Sequence, residues 1–369
     1  MSVRVLFVSK PVAPPYHDGT KCLVRDVASH LEVARPTVMS VPGGEAVGAA
    51  EVVPVYSSSG HFTPSARENL RAAAWLLLRS RADVWHFVFA PNPKTTLAGR
   101  TLKQLRRVPV VQTVASAPRS FAGVDRLLFG DVVVAQSRFT RSRIEQAVAA
   151  ESARPRRLAV IPPPVPDLAP RSAASLSAMR QRLGIAPSAP VFVYPGDLET
   201  SSGARVVAES VAPLTEAIPE AVVVFAYRAK TPRAAGIAAA LERDLPRDKV
   251  RFTAELPDVL ELIAGAAAVL FPVDDLWGKV DLPIVLLEAM ALGVPVVALR
   301  KGPLIDLAGV VHVDTLSAAA FAAAAARSLR DREHRQAVIE AQRAAVRDVY
   351  AAPAVARAYE RLYLDLARG

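Results

Sequence analysis

Short Val-rich runs alternate with segments of helical character along the whole chain, and this rhythm restricts the fold more than any other feature of the sequence. VRVLFVS, ARPTVMSV, ADVWHFVF, VPVVQTVAS and DVVVAQS come first; PVFVYPG, AVVVFAY, KVRFTAE, AAVLFPV, GVPVVAL and GVVHVD follow. Runs so short and so continuously apolar fit strands buried on both faces, the pattern of parallel sheets whose crossover helices cover both sides. Between the two series lies AVIPPPVPDLAPRS, in which Pro162, Pro163 and Pro164 exclude both helix and central strand. After it LSAMRQRLG, VVAESVAPLTEAIP and LPDVLELIAG read as helices. A chain of 369 residues is long enough for two cores. The expected fold class is α/β, with one doubly wound domain over 1–168, a second over 169–350, and a C-terminal helix within 351–369 that packs back on the first.

Composition narrows the setting. Cys22 is the sole cysteine, so there is no internal disulfide framework and no cysteine-based zinc cluster; a reducing compartment is expected. MSVRVLFVSKPVAPPYHDG reads as a buried strand meeting a loop, not as a secretion signal. SAAAFAAAAARSLR, from Ser317, is too short and too weakly apolar to span a bilayer. The net charge of +10 is uneven: residues 1–165 hold 22 Lys/Arg against 11 Asp/Glu, and the remainder 23 against 24. A basic N-terminal half suits nucleic acid, an anionic membrane surface or an acidic substrate, and an Arg-rich, Ala-rich background produces the same number. No compact basic-aromatic motif accompanies the charge, which ranks nucleic acid last. The expected location is cytoplasmic, with peripheral contact at the cytoplasmic face of the membrane as an extension.

In open parallel sheets ligands sit outside the carboxyl ends of the strands, and two such domains make a cleft there. The loop PPYHDGT holds Gly19 just before a helical stretch, where backbone can approach a ligand; an ordinary strand-to-helix turn explains it equally well. His86 in ADVWHFVF and Asn92 in the following Pro-flanked loop are expected at the cleft, against the alternative of a satisfied core histidine. Gln112, Thr113 and Ser116 offer hydrogen bonds to sugar hydroxyls, whereas Asp131 and Ser137 read as groups that fix loops and helix starts. YPGDLETSSG places Gly196 and Gly203 around an acidic loop that holds Asp197 and no cation. Cations for a phosphate then come from Arg228 and Lys230 or, preferentially, from Lys279.

The most specific segment is KVDLPIVLLEAMALGVPVVAL, from Lys279 to Leu299. Glu288 interrupts its apolar run near the start of a helix, where a carboxylate accepts hydrogen bonds from a ribose or sugar diol, or simply satisfies the helix dipole. Asp281 is placed to orient Lys279 or to cap that helix.

With the AVIPPPVP linker and VFVYPGDLETSSG, the run PIVLLEAMALGVPVVA resembles the GT-B glycosyltransferases of family 4 (glycosyl transferases group 1), and the resemblance covers nearly the full chain. It implies two Rossmann-like domains facing across a cleft and retaining sugar transfer without an essential metal or other cofactor. The acceptor would be recognised mainly by the first domain and a nucleotide diphosphate sugar mainly by the second. It places Gly19 near the donor phosphate or acceptor, Glu288 on the donor ribose, and the Gly196–Gly203 loop near the diphosphate. His86, Lys279 and Glu288 are then the expected catalytic residues. Gly19, Gly196, Arg228, Lys230, Lys279, Asp281 and Glu288 form the expected donor-binding set.

The chain departs from the family pattern at three places. The acid commonly separated from Glu288 by seven intervening residues has become Val280, with Asp281 one residue later. The usual Arg and Lys of the diphosphate loop fall on Asp197 and Ser202, and the histidine after VPVVQT is missing. A sugar-nucleotide epimerase, which turns over without an acceptor, and a non-catalytic nucleotide-sugar-binding protein are the alternatives. Donor nucleotide, sugar and acceptor are not specified by the sequence; the acceptor class extends to a lipid-linked hydroxyl.

Overall fold

A computed structural model describes residues 2–16, 18–59, 64–150, 157–229, 231–254, 256 and 258–368. The chain divides into two units. Unit 1 comprises Met1–Pro166, Trp277–Ile284 and Val349–Gly369; unit 2 comprises Asp167–Leu276 and Val285–Asp348. Lys279 and Asp281 therefore fold with unit 1, although the linear domain plan puts them in the second domain with Glu288.

Unit 1 is built on seven parallel strands: β1 (Arg4–Val8), β2 (Arg35–Ser40), β3 (Glu51–Pro54), β4 (Val84–Phe89), β5 (Val110–Val114), β6 (Val132–Ala135) and β7 (Arg157–Val160). Their order is β3-β2-β1-β4-β5-β6-β7. The connecting helices are α1 (Gly19–Ser29), α2 (Ala66–Leu78), α3 (Pro93–Arg106) and α4 (Arg138–Ala150). Each of the first three starts where a side chain takes up a free N–H: Asp18 for α1, Ser65 with Glu68 as a reciprocal capping box for α2, and Asn92 followed by Pro93 for α3.

Unit 2 repeats the plan with six parallel strands: β8 (Val191–Tyr194), β9 (Val222–Ala226), β10 (Val250–Thr253), β11 (Ala268–Phe271), β12 (Val296–Leu299) and β13 (Val311–Val313), in the order β10-β9-β8-β11-β12-β13. Helices α5 (Ala173–Arg182), α6 (Gly203–Ala217), α7 (Arg233–Asp244), α8 (Val259–Ala264), α9 (Ile284–Ala291), α10 (Ala318–Arg330) and α11 (Arg332–Ala345) accompany it. In both sheets the winding reverses beside the first strand, between β1 and β4 and between β8 and β11. The loops that leave these strands part there and open a crevice.

Two strands of unit 1, β3 and β7, escape the sequence reading, and both are edge strands. EVVP ends on Pro54 and RLAV is partly solvated, so neither shows the unbroken apolar run of a central strand such as the fully buried β5.

The last helix, α12 (Ala352–Arg368), covers one face of the unit 1 sheet beside α1: Val355, Tyr359 and Tyr363 share a buried cluster with Phe7, Leu23 and Val27. On the opposite face, Leu76 of α2 and Leu102 of α3 pack with Leu6, Trp85 and Phe87. A single carboxylate oxygen pins α12 in place. Glu360 Oε1 accepts the backbone N–H groups of Glu32, Val33 and Ala34 at 3.0, 2.7 and 2.7 Å, just beyond the end of α1. Among the described residues no helix is long and apolar enough to cross a membrane.

Glu360→Ala leaves three N–H groups without this acceptor, at least one of them buried. The expected loss is about 2–3 kcal/mol of unfolding free energy, read from urea titrations, while Glu360→Gln retains part of it.

Candidate functional site

In unit 2 the loop between β8 and α6 lies at the reversal of winding. Gly196 has no room for a side chain, since a Cβ there would lie 2.3 Å from the ring of Tyr194. Tyr194 is fully buried and its hydroxyl donates to the Asp197 carbonyl at 2.8 Å. Asp197 is itself buried and accepts Thr200 N–H through Oδ1 at 2.9 Å. Ser202 N–H, at the start of α6, donates to Asp274 Oδ1 at 2.8 Å, joining the loop after β8 to the loop after β11 across the crevice. Glu199 Oε1 takes Thr231 N–H at 2.9 Å and Thr231 Oγ1 at 3.1 Å. Three carboxylates thus brace the place where the resemblance puts a diphosphate. Asp274 and Glu199 were not singled out from the sequence, although FPVDD, directly after a strand, shows the first and YPGDLETSSG holds the second.

Arg228 follows β9 and is half-buried. Lys230 lies outside the described residues. Glu288 is half-buried and is the fifth of the eight residues of α9. It stands in the second turn, past the free N–H groups of the helix start, so the dipole-satisfying role considered for it loses its basis.

The remaining expected site residues belong to unit 1. Gly19 is the first residue of α1, and the space its Cβ would take is filled by Val280, whose methyl carbons lie 3.0 and 3.1 Å away. Asp18 caps α1 through Thr20 N–H and meets Lys10 Nζ at 2.6 Å. Val280 and Ile284 pack with Cys22, and the buried Asp281 accepts Ser137 Oγ–H at 2.8 Å. Ser137 Oγ in turn accepts Thr140 N–H at 3.0 Å, so Asp281 is tied to the start of α4. Lys279, half-buried, stands beside this anchored stretch.

His86 differs from expectation. It is the third of six residues of β4, fully buried, with Nε2 2.7 Å from Thr113 Oγ1 and Nδ1 2.7 Å from Tyr363 Oη. Tyr359 Oη completes the group, 3.1 Å from Thr113 Oγ1. Burial pushes the imidazole down to about 3, so it is neutral at physiological pH. Both ring nitrogens are engaged inside the core, and His86 is corrected from a catalytic residue to a packing group. Gln112 and Thr113 are corrected likewise. The Gln112 amide accepts Phe129 N–H and Gly130 N–H and donates to the Leu127 carbonyl. Asn92 caps α3 by accepting Thr95 N–H at 3.0 Å, and Asp131 holds Val110 N–H at 2.8 Å and Lys103 Nζ at 2.6 Å. Among the described residues no group of three or more His, Cys, Asp or Glu side chains is arranged to hold a metal ion.

Residues 177–345 match the family described as "Glycosyl transferases group 1". No curated protein matches the chain by sequence. Among solved structures, Anabaena HepE in complex with UDP-glucose superposes with a TM-score of 0.73 at 16% identity, covering 98% of this chain and 99% of that one. Sucrose-phosphate synthase from Thermosynechococcus elongatus gives 0.73 at 17%, with 99% of each chain covered. WaaG, a glycosyltransferase involved in lipopolysaccharide biosynthesis, gives 0.64 at 18%, with 100% of each covered. The fold is the two-domain GT-B fold, and residues 177–345 are similar to the group 1 glycosyl transferases.

The neutral His86 sets a pH dependence. Its folded-state pKa lies below the unfolded value of 6.5, so the unfolded chain takes up the proton first. Its contribution is complete above about pH 6.5 and falls away as pH drops towards 3, by up to about 1.4 kcal/mol per unit. Urea unfolding of wild type between about pH 7 and about pH 5 should show this slope, and His86→Asn, compared over the same range, a flatter one.

Proposed function

We propose that the protein is a retaining, metal-independent glycosyltransferase of family 4 that moves a sugar from a nucleotide diphosphate donor to an acceptor hydroxyl, in glycan, glycolipid or secondary-metabolite synthesis. The observation that carries this reading is the family match over residues 177–345, which includes Lys279 and the Glu288 helix. The UDP-glucose held by the Anabaena relative makes a nucleoside diphosphate sugar the donor class to try first.

In this reading unit 2 binds the donor and unit 1 the acceptor. Glu288 accepts hydrogen bonds from the donor ribose, and Gly196 keeps the loop after β8 close to the diphosphate. Lys279 and Arg228 supply positive charge that the loop itself lacks. The sugar–phosphate bond breaks as the acceptor oxygen approaches the face that the phosphate leaves, and a departing phosphate oxygen takes the acceptor proton. Such a step asks for positioning and for stabilisation of the leaving charge rather than for a strong base, which suits a chain whose one expected histidine is buried in the core. The charge of the first 165 residues favours an acceptor linked to an anionic lipid, with the protein working at the cytoplasmic membrane surface.

The acidic bracing of the α6 start favours a second reading. With Asp197, Glu199 and Asp274 around it, a diphosphate meets repulsion that family members with Arg and Lys in that loop avoid, and a non-catalytic nucleotide-sugar-binding role follows if that repulsion prevails.

Purified protein incubated with a panel of nucleotide sugars, with and without pooled cytoplasmic and membrane acceptors, is expected to release nucleotide only when acceptor is present, with a matching product mass by mass spectrometry. Donor binding without release or product across the panel supports the second reading instead. Once a donor is found, Glu288→Ala and Lys279→Ala should each lower kcat/KM for it by about 10–100-fold, a loss of about 1.4–2.7 kcal/mol of transition-state binding. Unchanged donor kinetics in both variants would remove these two assignments.

A further inference from the structure

Helices α2 and α3 carry large apolar side chains that the fold leaves in water. Leu70 and Leu78 on α2 are 72% and 81% exposed, and Leu97 and Leu105 on α3 are 70% and 64% exposed. In each pair the leucines stand eight residues apart with an exposed small residue midway, Ala74 on α2 and Thr101 on α3. Positions i, i+4 and i+8 share one side of a helix, so each helix presents an apolar stripe. On α2 this stripe lies opposite the buried Glu68, Ala72 and Leu76. Both helices pack against each other and on the same face of the sheet, so the two stripes belong to one outward layer. A lone exposed leucine is ordinary, but two parallel stripes of them form a patch.

The exposed charge carried by the two helices has one sign. Arg67, Arg71, Arg79, Arg81, Lys94 and Arg107 are exposed on or beside the two helices. Helix α3 has no acid at all, and the one acid of α2 is Glu68, turned inward. Its carboxylate is taken by Ser57 and Ser65, which hold it down to about 2. Basic side chains flanking leucines on a helix surface match an interface of acyl chains below anionic head groups. A second copy of this chain, set face to face, would oppose like charges. A nucleic acid would use the cations but leave the leucines in water.

We propose that the α2–α3 face of unit 1 docks on an anionic lipid bilayer, with Leu70, Leu78, Leu97 and Leu105 entering the boundary between head groups and acyl chains while the surrounding arginines lie over lipid phosphates. This gives the membrane contact of the preceding reading a definite surface, and it stands independently of donor chemistry.

The test is flotation of the full chain, without nucleotide sugar, on phosphatidylcholine vesicles with and without about 30% phosphatidylglycerol, in low salt and in about 0.5 M salt. Binding should be at least about tenfold stronger to the anionic vesicles and should weaken in high salt. Leu70→Ser with Leu78→Ser, and Leu97→Ser with Leu105→Ser, should each reduce it by about tenfold or more, while thermal unfolding and monomer mass by light scattering stay those of wild type. Failure to float with anionic vesicles overturns the proposal, as does flotation that the leucine variants leave unchanged. A wild-type dimer that the leucine substitutions dissociate, without vesicle binding, would identify a second copy as the occupant and equally overturn it. None of these outcomes depends on whether sugar transfer is found.

Discussion

A parallel sheet has no face that tolerates water, and in unit 1 this requirement reaches across almost the whole sequence. The cover over one face of β1 and β4 comes partly from α1, close by in the chain, and partly from α12, more than 300 residues further on. What makes the distant helix fit is polar as well as apolar. Glu360 satisfies three successive N–H groups after α1, and Tyr359 and Tyr363 reach through the cluster to Thr113 and His86. The buried histidine, the threonine beside it and the two tyrosines have a structural occupation before any substrate is considered, and the strand-end loops are held in place by the sheet that this cover completes.

Much of the fold was legible because its determinants are local. Central strands announce themselves as unbroken Val-rich runs, and the prolines at 162–164 mark the passage between the two series. The edges were harder: β3 and β7 are partly solvated and compositionally unlike strands. The site was read less well, because its determinants are partners. VPVVQT does not disclose that Gln112 will bridge to Phe129 and Gly130, nor ADVWHFVF that both nitrogens of His86 will be used within the core. The placing of residues 277–284 with unit 1 is of the same kind. It depends on Val280 filling the space beside Gly19 and on Asp281 meeting Ser137, contacts 261 and 144 positions apart in the sequence. Lys230 could not be followed, lying outside the described residues.

The start of α6 shows how a turn built on a tightly packed glycine can carry an acidic electrostatic character. The glycine that lets Tyr194 pack and the turn into the helix are both present, yet carboxylates organise the loop. An anion bound there must draw its compensation from elsewhere, so its affinity should respond to ionic strength and to any basic residue brought near it more strongly than in a site with built-in cations. Under the proposed function, that is a physical reason to measure donor binding and turnover separately.

The interleaving of the units also has a consequence in time. Residues up to 166 emerge from the ribosome first and contain every strand of their sheet, but the helix bearing Glu360 and Tyr363 is translated only after all of unit 2. Until then the apolar flank of the nascent sheet lacks the cover that α12 gives it, while the later-made unit has its own core elements close together in the chain. Of the two units, the one begun first is finished last.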